Sequence, residues 1–363
     1  DRKRTAPPAT GPDASAKPLP AKPAAGQLVP AEGEAAVRAL FERELPPLPR
    51  EAFRAPSGIA GTVEAAAPPA VTPASGAEEL AVPLGTGQPL SCTLFPERID
   101  VAATVWRVAE SARKKVEVVL VRPVDVVAVE GSPLVLAMLV YRVQLAQGPV
   151  AGQLKVAVYA HPSRSLLCVH DEPGYVETFA RVVRGLAGSL SGGPRDERAG
   201  AAFAELSVIR VGGLAVGYGE HVVWKREGGG RVAEQWGAQL LPRGDVDLVA
   251  MDSTSRETID AAGLLEGGTY AHSTNGELDT RVELQRGADG KTFRYDGEKD
   301  GKPLQGAFAT RAGLSTDLWF ARRLAKGAPA IAGDLRHEAY SSESSPVAPT
   351  PVAYRRDPAA PGR

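Results

Sequence analysis

The chain has 363 residues, of which 43% are apolar, and its net charge is −1. This length suits two ordinary domains with hydrophobic cores plus some unstructured sequence. Acidic and basic residues are intermixed, which excludes the clustered basic surface of a nucleic-acid-binding protein, and no run of eighteen apolar residues predicts a transmembrane helix.

The sequence is rich in Ala, Gly, Pro, Val and Arg and contains a single Asn, a bias typical of GC-rich bacterial genomes. Its first four residues, starting at Asp1, are charged and are followed by Thr, Ala and Pro. Such a start is typical of the residues after the lipidated cysteine of an exported lipoprotein, whose signal peptide has been removed. An arbitrary start of the sequence is the alternative. The expected location is the periplasm or outer membrane of a Gram-negative bacterium, with membrane contact only through a lipid anchor.

Residues 1–78 are rich in Pro and Ala and predict a disordered tether. Such a segment buries too little apolar surface to offset the entropy cost of ordering the chain. One stretch differs, because residues 34–45 carry apolar side chains at helical spacing before Pro46. We interpret this stretch either as a short helix that docks on the body or a partner, or as a transient helix in a linker.

Residues 79–190 predict an α+β domain, in which helices flank an antiparallel sheet. A helix is expected to open at Pro96, with acidic residues in its first turn. A second helix is predicted at the end of the domain, where apolar side chains recur at core-facing spacing. These side chains are Tyr175, Phe179, Val182, Leu186 and Leu190. The strands predicted between the helices are 116–122, 124–129, 134–144 and 150–160.

The element order and three segments carry a resemblance to a known group of domains. The segments are Leu94-Phe95-Pro96-Glu97, the strand Leu166-Leu167-Cys168, and the terminal helix that contains Glu177-Thr178-Phe179. In this order the region resembles PsbP-like and DcrB-like domains of exported bacterial lipoproteins. The resemblance implies an adaptor role and no shared catalytic residues.

After a linker at 191–200, residues 201–324 predict a mostly antiparallel curved sheet or open barrel. Turn signals such as Asn275-Gly276 and Asp300-Gly301 separate the strands. The strands are predicted at 203–211, 214–225, 231–240, 245–252, 268–273, 280–284, 292–297 and 302–309. With Gly217-Tyr218-Gly219 and residues 255–258, this region resembles the curved-sheet exported domains related to lipoprotein carriers. Residues 325–363 return to Pro, Ala and Ser and predict an extended tail.

The two cysteines, Cys92 and Cys168, lie in short apolar runs that read as strands of the first domain. In an oxidising compartment they would pair and close a long loop. Two buried free thiols are the equal alternative, because the sequence does not show whether the two strands are neighbours. Neither cysteine belongs to a CxxC motif, which argues against a zinc or redox site.

No motif predicts a catalytic residue, a cofactor or a metal site. The densest polar cluster is His170-Asp171-Glu172, and a strand end followed by acidic first-turn residues explains it without a metal or acid/base site. Ser111 and Lys114 match SxxK, but the companion motifs of penicillin-recognising enzymes are absent. The sequence also lacks HExxH, GxSxG and Walker A motifs.

Aromatic residues of the second domain have two interpretations. Trp236, Phe293 and Phe308 either line an apolar cavity or fill the core. The predicted function is a non-catalytic exported envelope protein that acts in binding or assembly with a protein partner. The alternatives are a carrier of an apolar ligand in the second domain, and an unrecognised hydrolase whose Ser, His and carboxylate converge at the domain junction.

Overall fold

The computed structural model describes residues 29–30, 34–146, 148–193, 197–316, 319, 335–342 and 345–354. In these residues antiparallel strands predominate, and three α-helices accompany twenty strands. The elements of the first half are β1 (Val29–Pro30), α1 (Glu34–Phe41), β2 (Arg50–Arg54), β3 (Ala60–Glu64), β4 (Ala70–Ala74), β5 (Ala77–Val82), β6 (Leu90–Phe95), α2 (Val101–Arg113), β7 (Glu117–Val129), β8 (Ser132–Leu145), β9 (Gly148–Tyr159), β10 (Ser165–Asp171) and α3 (Val176–Ser189).

In the described part of the second half, strands predominate and are accompanied by short 3₁₀ turns. The strands are β11 (Phe203–Val211), β12 (Leu214–Lys225), β13 (Arg231–Arg243), β14 (Asp247–Ile259), β15 (Leu265–Thr274), β16 (Glu277–Arg286), β17 (Thr292–Lys299), β18 (Lys302–Ala309), β19 (Leu335–Ser341) and β20 (Ser345–Tyr354).

The first sheet has the strand order β4-β5-β6-β10-β9-β8-β7, with β1 alongside β9. Both of its faces are buried, as β8 shows: Leu134 and Leu136 pack into one hydrophobic cluster, and Val135 and Leu139 pack into another. Because successive side chains of a strand point to opposite faces, this sheet is an inner layer of the molecule.

One face of the first sheet is covered by α3 and by the hairpin of β2 and β3. The apolar stripe of α3 packs there as predicted, since Phe179, Val182 and Leu186 are buried together with Phe53 and Val63 of the hairpin. The predicted helix at 175–190 is thus confirmed within one residue at each end. The helix predicted from Pro96 begins only at α2, five residues later.

The prediction of a disordered tether over residues 1–78 is wrong for its last part. Strands β2, β3, β4 and β5 lie between residues 50 and 82. Ile59 and Val63 are fully buried in this part of the chain, although Ala and Pro surround them. Of the segment before it, residues 1–28 and 31–33 lie outside the described residues. The helix predicted at 34–45 is present as α1 and stops at Phe41.

Residues between α1 and β2 cross the N-terminus of α3 and form hydrogen bonds with it. The carboxylate of Glu44 accepts hydrogen bonds from the backbone N–H groups of Glu177, at 2.9 Å, and Thr178, at 2.7 Å. These N–H groups have no partner inside the helix, so Glu44 caps α3 from a distant part of the chain. Close approach also requires Gly174, where a Cβ atom would lie 2.5 Å from the carbonyl oxygen of Leu40.

The other face of the first sheet packs on α2, and α2 packs on the second sheet. One hydrophobic cluster contains Val105 of α2, Val135 and Val156 of the first sheet, and Ala238 and Leu248 of the second. The linker predicted at 191–200, of which residues 194–196 lie outside the described part, therefore separates two sheets that share a core.

The second sheet is a meander in which β11 to β18 pair in chain order. The hairpin of β19 and β20 lies on the face opposite α2, where Tyr340 packs against Tyr270 and Phe308. Part of the predicted tail at 325–363 is thus a folded hairpin. The molecule consists of five layers. In order they are the β2–β3 hairpin with α3, the first sheet, α2, the second sheet and the β19–β20 hairpin. Because strands predominate, the predicted α+β class fits this fold only loosely.

Asp252 of the second sheet caps the N-terminus of α2. Its two carboxylate oxygens accept hydrogen bonds from the backbone N–H groups of Ala102, at 3.0 Å, and Ala103, at 2.7 Å. Asp100, which directly precedes the helix, makes no such side-chain bond. Burial raises the pKa of Asp252 from 3.8 to about 6, although the two N–H groups oppose the shift.

The raised pKa of Asp252 predicts a pH effect on stability. Between pH 4 and 6 the folded state binds a proton at Asp252 and the unfolded state does not. The free energy of unfolding therefore falls by about 3 kcal/mol as the pH rises through this window. We expect the free energy of unfolding of the wild type, relative to Asp252→Asn, to fall by this amount across the window. Denaturant titrations at several pH values measure the difference; parallel curves for the two proteins would contradict the prediction.

Candidate functional site

A polar pocket of about 250 Å³ lies between the second sheet and the β19–β20 hairpin. The strand pairing positions its side chains, because residues paired across antiparallel strands share a face. Ser253 and Ser255 of β14 are paired with His272 and Tyr270 of β15. Glu257 lies two residues further along β14, so it belongs to the same face.

The hairpin supplies the opposite wall of the pocket. His272 Nε2 and Ser342 Oγ are 2.7 Å apart and share a hydrogen bond. The rings of Tyr270 and Tyr340 are packed at 4.8 Å between centroids. The hairpin thereby closes a space that the open sheet would leave exposed to solvent.

Neutral hydrogen-bonding groups dominate this pocket, and neither Lys nor Arg occurs among the described residues that line it. The Tyr270 hydroxyl donates a hydrogen bond to Glu257 Oε1 at 2.9 Å. Burial, and then the adjacent carboxylate of Glu257, raise the pKa of Tyr270 well above its ordinary value. Burial also raises the pKa of Tyr340. Both phenols therefore remain neutral at physiological pH.

The three aromatic residues for which an apolar cavity was one of two interpretations do not lie together. Successive strand pairings place Phe293 and Phe308 on the face that carries Tyr270 and Gln235. Trp236 directly follows Gln235 and so points to the opposite face.

The contacts of these aromatics also differ. Phe293 is fully buried, and its ring stacks on that of Phe308 at 5.8 Å, within a packed core. Trp236 instead lies under the guanidinium group of Arg98, 4.4 Å from the ring centroid. Arg98 also pairs with Glu220 of β12 at 2.5 Å. The interpretation that all three residues line one cavity is therefore contradicted, and the alternative that they fill the core holds for Phe293.

Cys92 and Cys168 form a disulfide bond, which was one of two open interpretations. They are directly paired on the neighbouring strands β6 and β10, and both side chains are buried in the core beneath α3. The bond closes a loop with a sequence separation of 76 residues.

The His170-Asp171-Glu172 cluster lies at a buried strand end and surrounds Lys155. The Lys155 ammonium group donates hydrogen bonds to the backbone carbonyls of Glu172 and of Gly174, the latter at 2.7 Å. Burial lowers the pKa of Lys155 to about 7, and burial together with Lys155 lowers that of His170 to about 3. These bonds hold the turn that leads into α3. The expected strand end is present, but Asp171 belongs to β10 and Glu172 precedes α3, so the prediction that they are first-turn residues of the helix is wrong.

Other chemistry-bearing residues are dispersed. Ser111 and Lys114 lie at the end of α2, where Lys114 is exposed. No group of three metal-ligating side chains occurs in the part of the chain that the structure describes. The Ser342–His272 pair was missed at the sequence level, because no motif links residues 70 positions apart and the serine was assigned to the tail.

Within the described part of the chain, strand β11 pairs with β12 alone and so forms an open edge of the second sheet. Among the described residues, the two large sheets have five strands with one unpaired edge, and four of them contain a proline: Pro30 in β1, Pro73 in β4, Pro123 in β7 and Pro303 in β18. Proline and lysine protect sheet edges from pairing with other chains. β11 contains neither residue.

Apolar side chains of β11 are exposed to solvent on both faces of the sheet. Phe203 is 48% exposed, Val208 37% and Val211 58%. Phe203 and Val208 are an odd number of residues apart, so they point to opposite faces. An added strand would cover side chains on both sides and bond to the open backbone edge.

None of the described helices is both long and apolar enough to cross a membrane. No family model, no curated protein and no solved structure matches this chain.

Proposed function

We propose that this protein is a non-catalytic, exported binding module that takes up an extended segment of a partner protein as an additional strand beside β11. The observation that carries the proposal is the nine-residue edge strand with apolar side chains exposed on both faces. Strand addition uses backbone hydrogen bonds for affinity and alternate side chains for specificity.

The charges of β11 suit an extended segment of low net charge. Glu205 and Arg210 are the two charged residues of the strand, and both are exposed. They offset each other, so an apolar, β-branched partner segment is not repelled. Such a segment would cover the exposed side chains of Phe203, Val208 and Val211. Without a partner, an exposed apolar edge strand promotes aggregation.

Export is supported by the disulfide. Disulfides persist in oxidising compartments such as the periplasm and are rare in the bacterial cytosol. The buried Cys92–Cys168 bond is therefore consistent with an envelope location. The partner is accordingly sought among envelope proteins.

A charge placed on the edge tests the proposal. We expect Val208→Lys to abolish recovery of the partner when the tagged protein is purified from native envelopes, because lysine on an edge strand opposes strand addition. Val246→Lys is the matched control, since Val246 is 50% exposed but lies in the turn between β13 and β14. Equal recovery with both variants would contradict the proposal.

A further inference from the structure

We propose that the polar pocket between the second sheet and the β19–β20 hairpin binds a neutral saccharide unit. This site is independent of strand addition at β11, because its walls come from β13, β14, β15 and the hairpin.

The groups that line the pocket select the class of ligand. A phosphate or a free carboxylate would require a cation, and neither Lys nor Arg occurs among the described lining residues. A lipid tail would require an apolar lining, whereas hydroxyl groups from Ser253, Ser255 and Ser342 face this space together with Gln235. The chemistry therefore favours an uncharged ligand with many hydroxyl groups.

Aromatic residues at the same pocket further restrict the class of ligand. A sugar ring presents C–H groups on its faces and hydroxyl groups around its rim. Tyr340 is partly exposed and supplies ring surface for one face, whereas Tyr270 is buried against it and supports its position. The Glu257 carboxylate and the His272–Ser342 pair supply partners for the rim. The volume of about 250 Å³ suits a single small ligand.

The hairpin makes the pocket complete. Tyr340, Ser341 and Ser342 belong to it, and the other lining residues belong to the sheet. Ser315 Oγ and its backbone N–H both donate to the Glu338 carbonyl, at 2.8 Å in each case, which holds the hairpin in place. The saccharide would lie between the second sheet and the β19–β20 hairpin.

Saturation-transfer NMR on the full chain tests the inference, with glucose, galactose and N-acetylglucosamine as neutral probes and glucuronate as the charged comparison. We expect transfer to at least one neutral sugar and none to glucuronate. Ser255→Leu, which fills the pocket, should weaken the measured affinity at least about tenfold. Thr269→Leu is the matched control, because Thr269 is an exposed residue of β15 outside the pocket.

Three results would overturn the inference: no transfer to any neutral sugar at millimolar concentration, equal transfer to glucuronate, or equal affinity in Ser255→Leu and wild type. The first result would mean that the pocket holds water only. Ser342→Ala provides a second variant that removes the hydroxyl group bonded to His272 with little change in volume, and it too should bind more weakly. Circular dichroism checks that each variant is folded.

Discussion

Phe179→Ala is expected to lower the free energy of unfolding by about 3–5 kcal/mol. The Phe179 ring is 3% exposed and lies in the cluster that joins α3 to the first sheet and to the β2–β3 hairpin. Truncation removes the buried ring and leaves a cavity that fixed strands on two sides prevent from collapsing.

Phe203→Ala is the matched control for this loss, because Phe203 is half exposed on β11. The same chemical change there should alter the free energy of unfolding by much less, while weakening partner binding. Denaturant unfolding followed by circular dichroism measures both variants. Equal stability of Phe179→Ala and the wild type would show that the ring does not hold α3 on the sheet.

Loss of the disulfide is expected to cost about 4 kcal/mol, because Cys92 and Cys168 close a long loop in the unfolded chain. The double variant Cys92→Ala/Cys168→Ala leaves two small buried side chains on paired strands, so the folded state changes little. The effect therefore arises mainly from the greater freedom of the unfolded chain.

Reduced wild-type protein is the control, and it should unfold at nearly the same denaturant concentration as the double variant. Oxidised wild-type protein should resist unfolding to a clearly higher concentration. Coincidence of all three unfolding curves would contradict the disulfide in solution.

Local patterns in the sequence predicted much of the two sheets and the closing helix. The stripe from Tyr175 to Leu186 identified α3, because residues three and four apart share a helix face. Asn275 and Gly276 predicted a tight hairpin, and both adopt positive φ, at 55° and 77°.

The terminal segments were mispredicted because their high Pro and Ala content indicated disorder, although some of their side chains are buried. Residues 50–78 are rich in Ala and Pro, yet they supply Phe53, Ile59 and Val63 to the core. The prolines of β20 are compatible with a two-stranded hairpin, where one edge of each strand needs no partner. Composition measures the average environment, whereas a few well-placed apolar side chains are enough to fold a segment.

The candidate sites depend on register and on contacts between distant segments. Ser255 and Tyr270 meet because β14 and β15 pair at that position, and Ser342 joins them only after the hairpin docks. Asp252 likewise meets α2 only after the second sheet packs on it. Shifting a strand by one residue would exchange the faces of all its side chains. Turns and alternation can set the register within a hairpin, but they do not show which distant segment packs on each face.

Photo-crosslinking along β11 tests strand addition most directly. A photoreactive amino acid is placed at Ser207 or at Val208, neighbouring exposed positions whose side chains point to opposite faces of the sheet. Strand addition predicts that both positions crosslink to the same envelope protein, and that Val246, in the turn after β13, gives no such product. A product from only one of the two positions would indicate a partner lying on one face, and no product from either would contradict binding at β11.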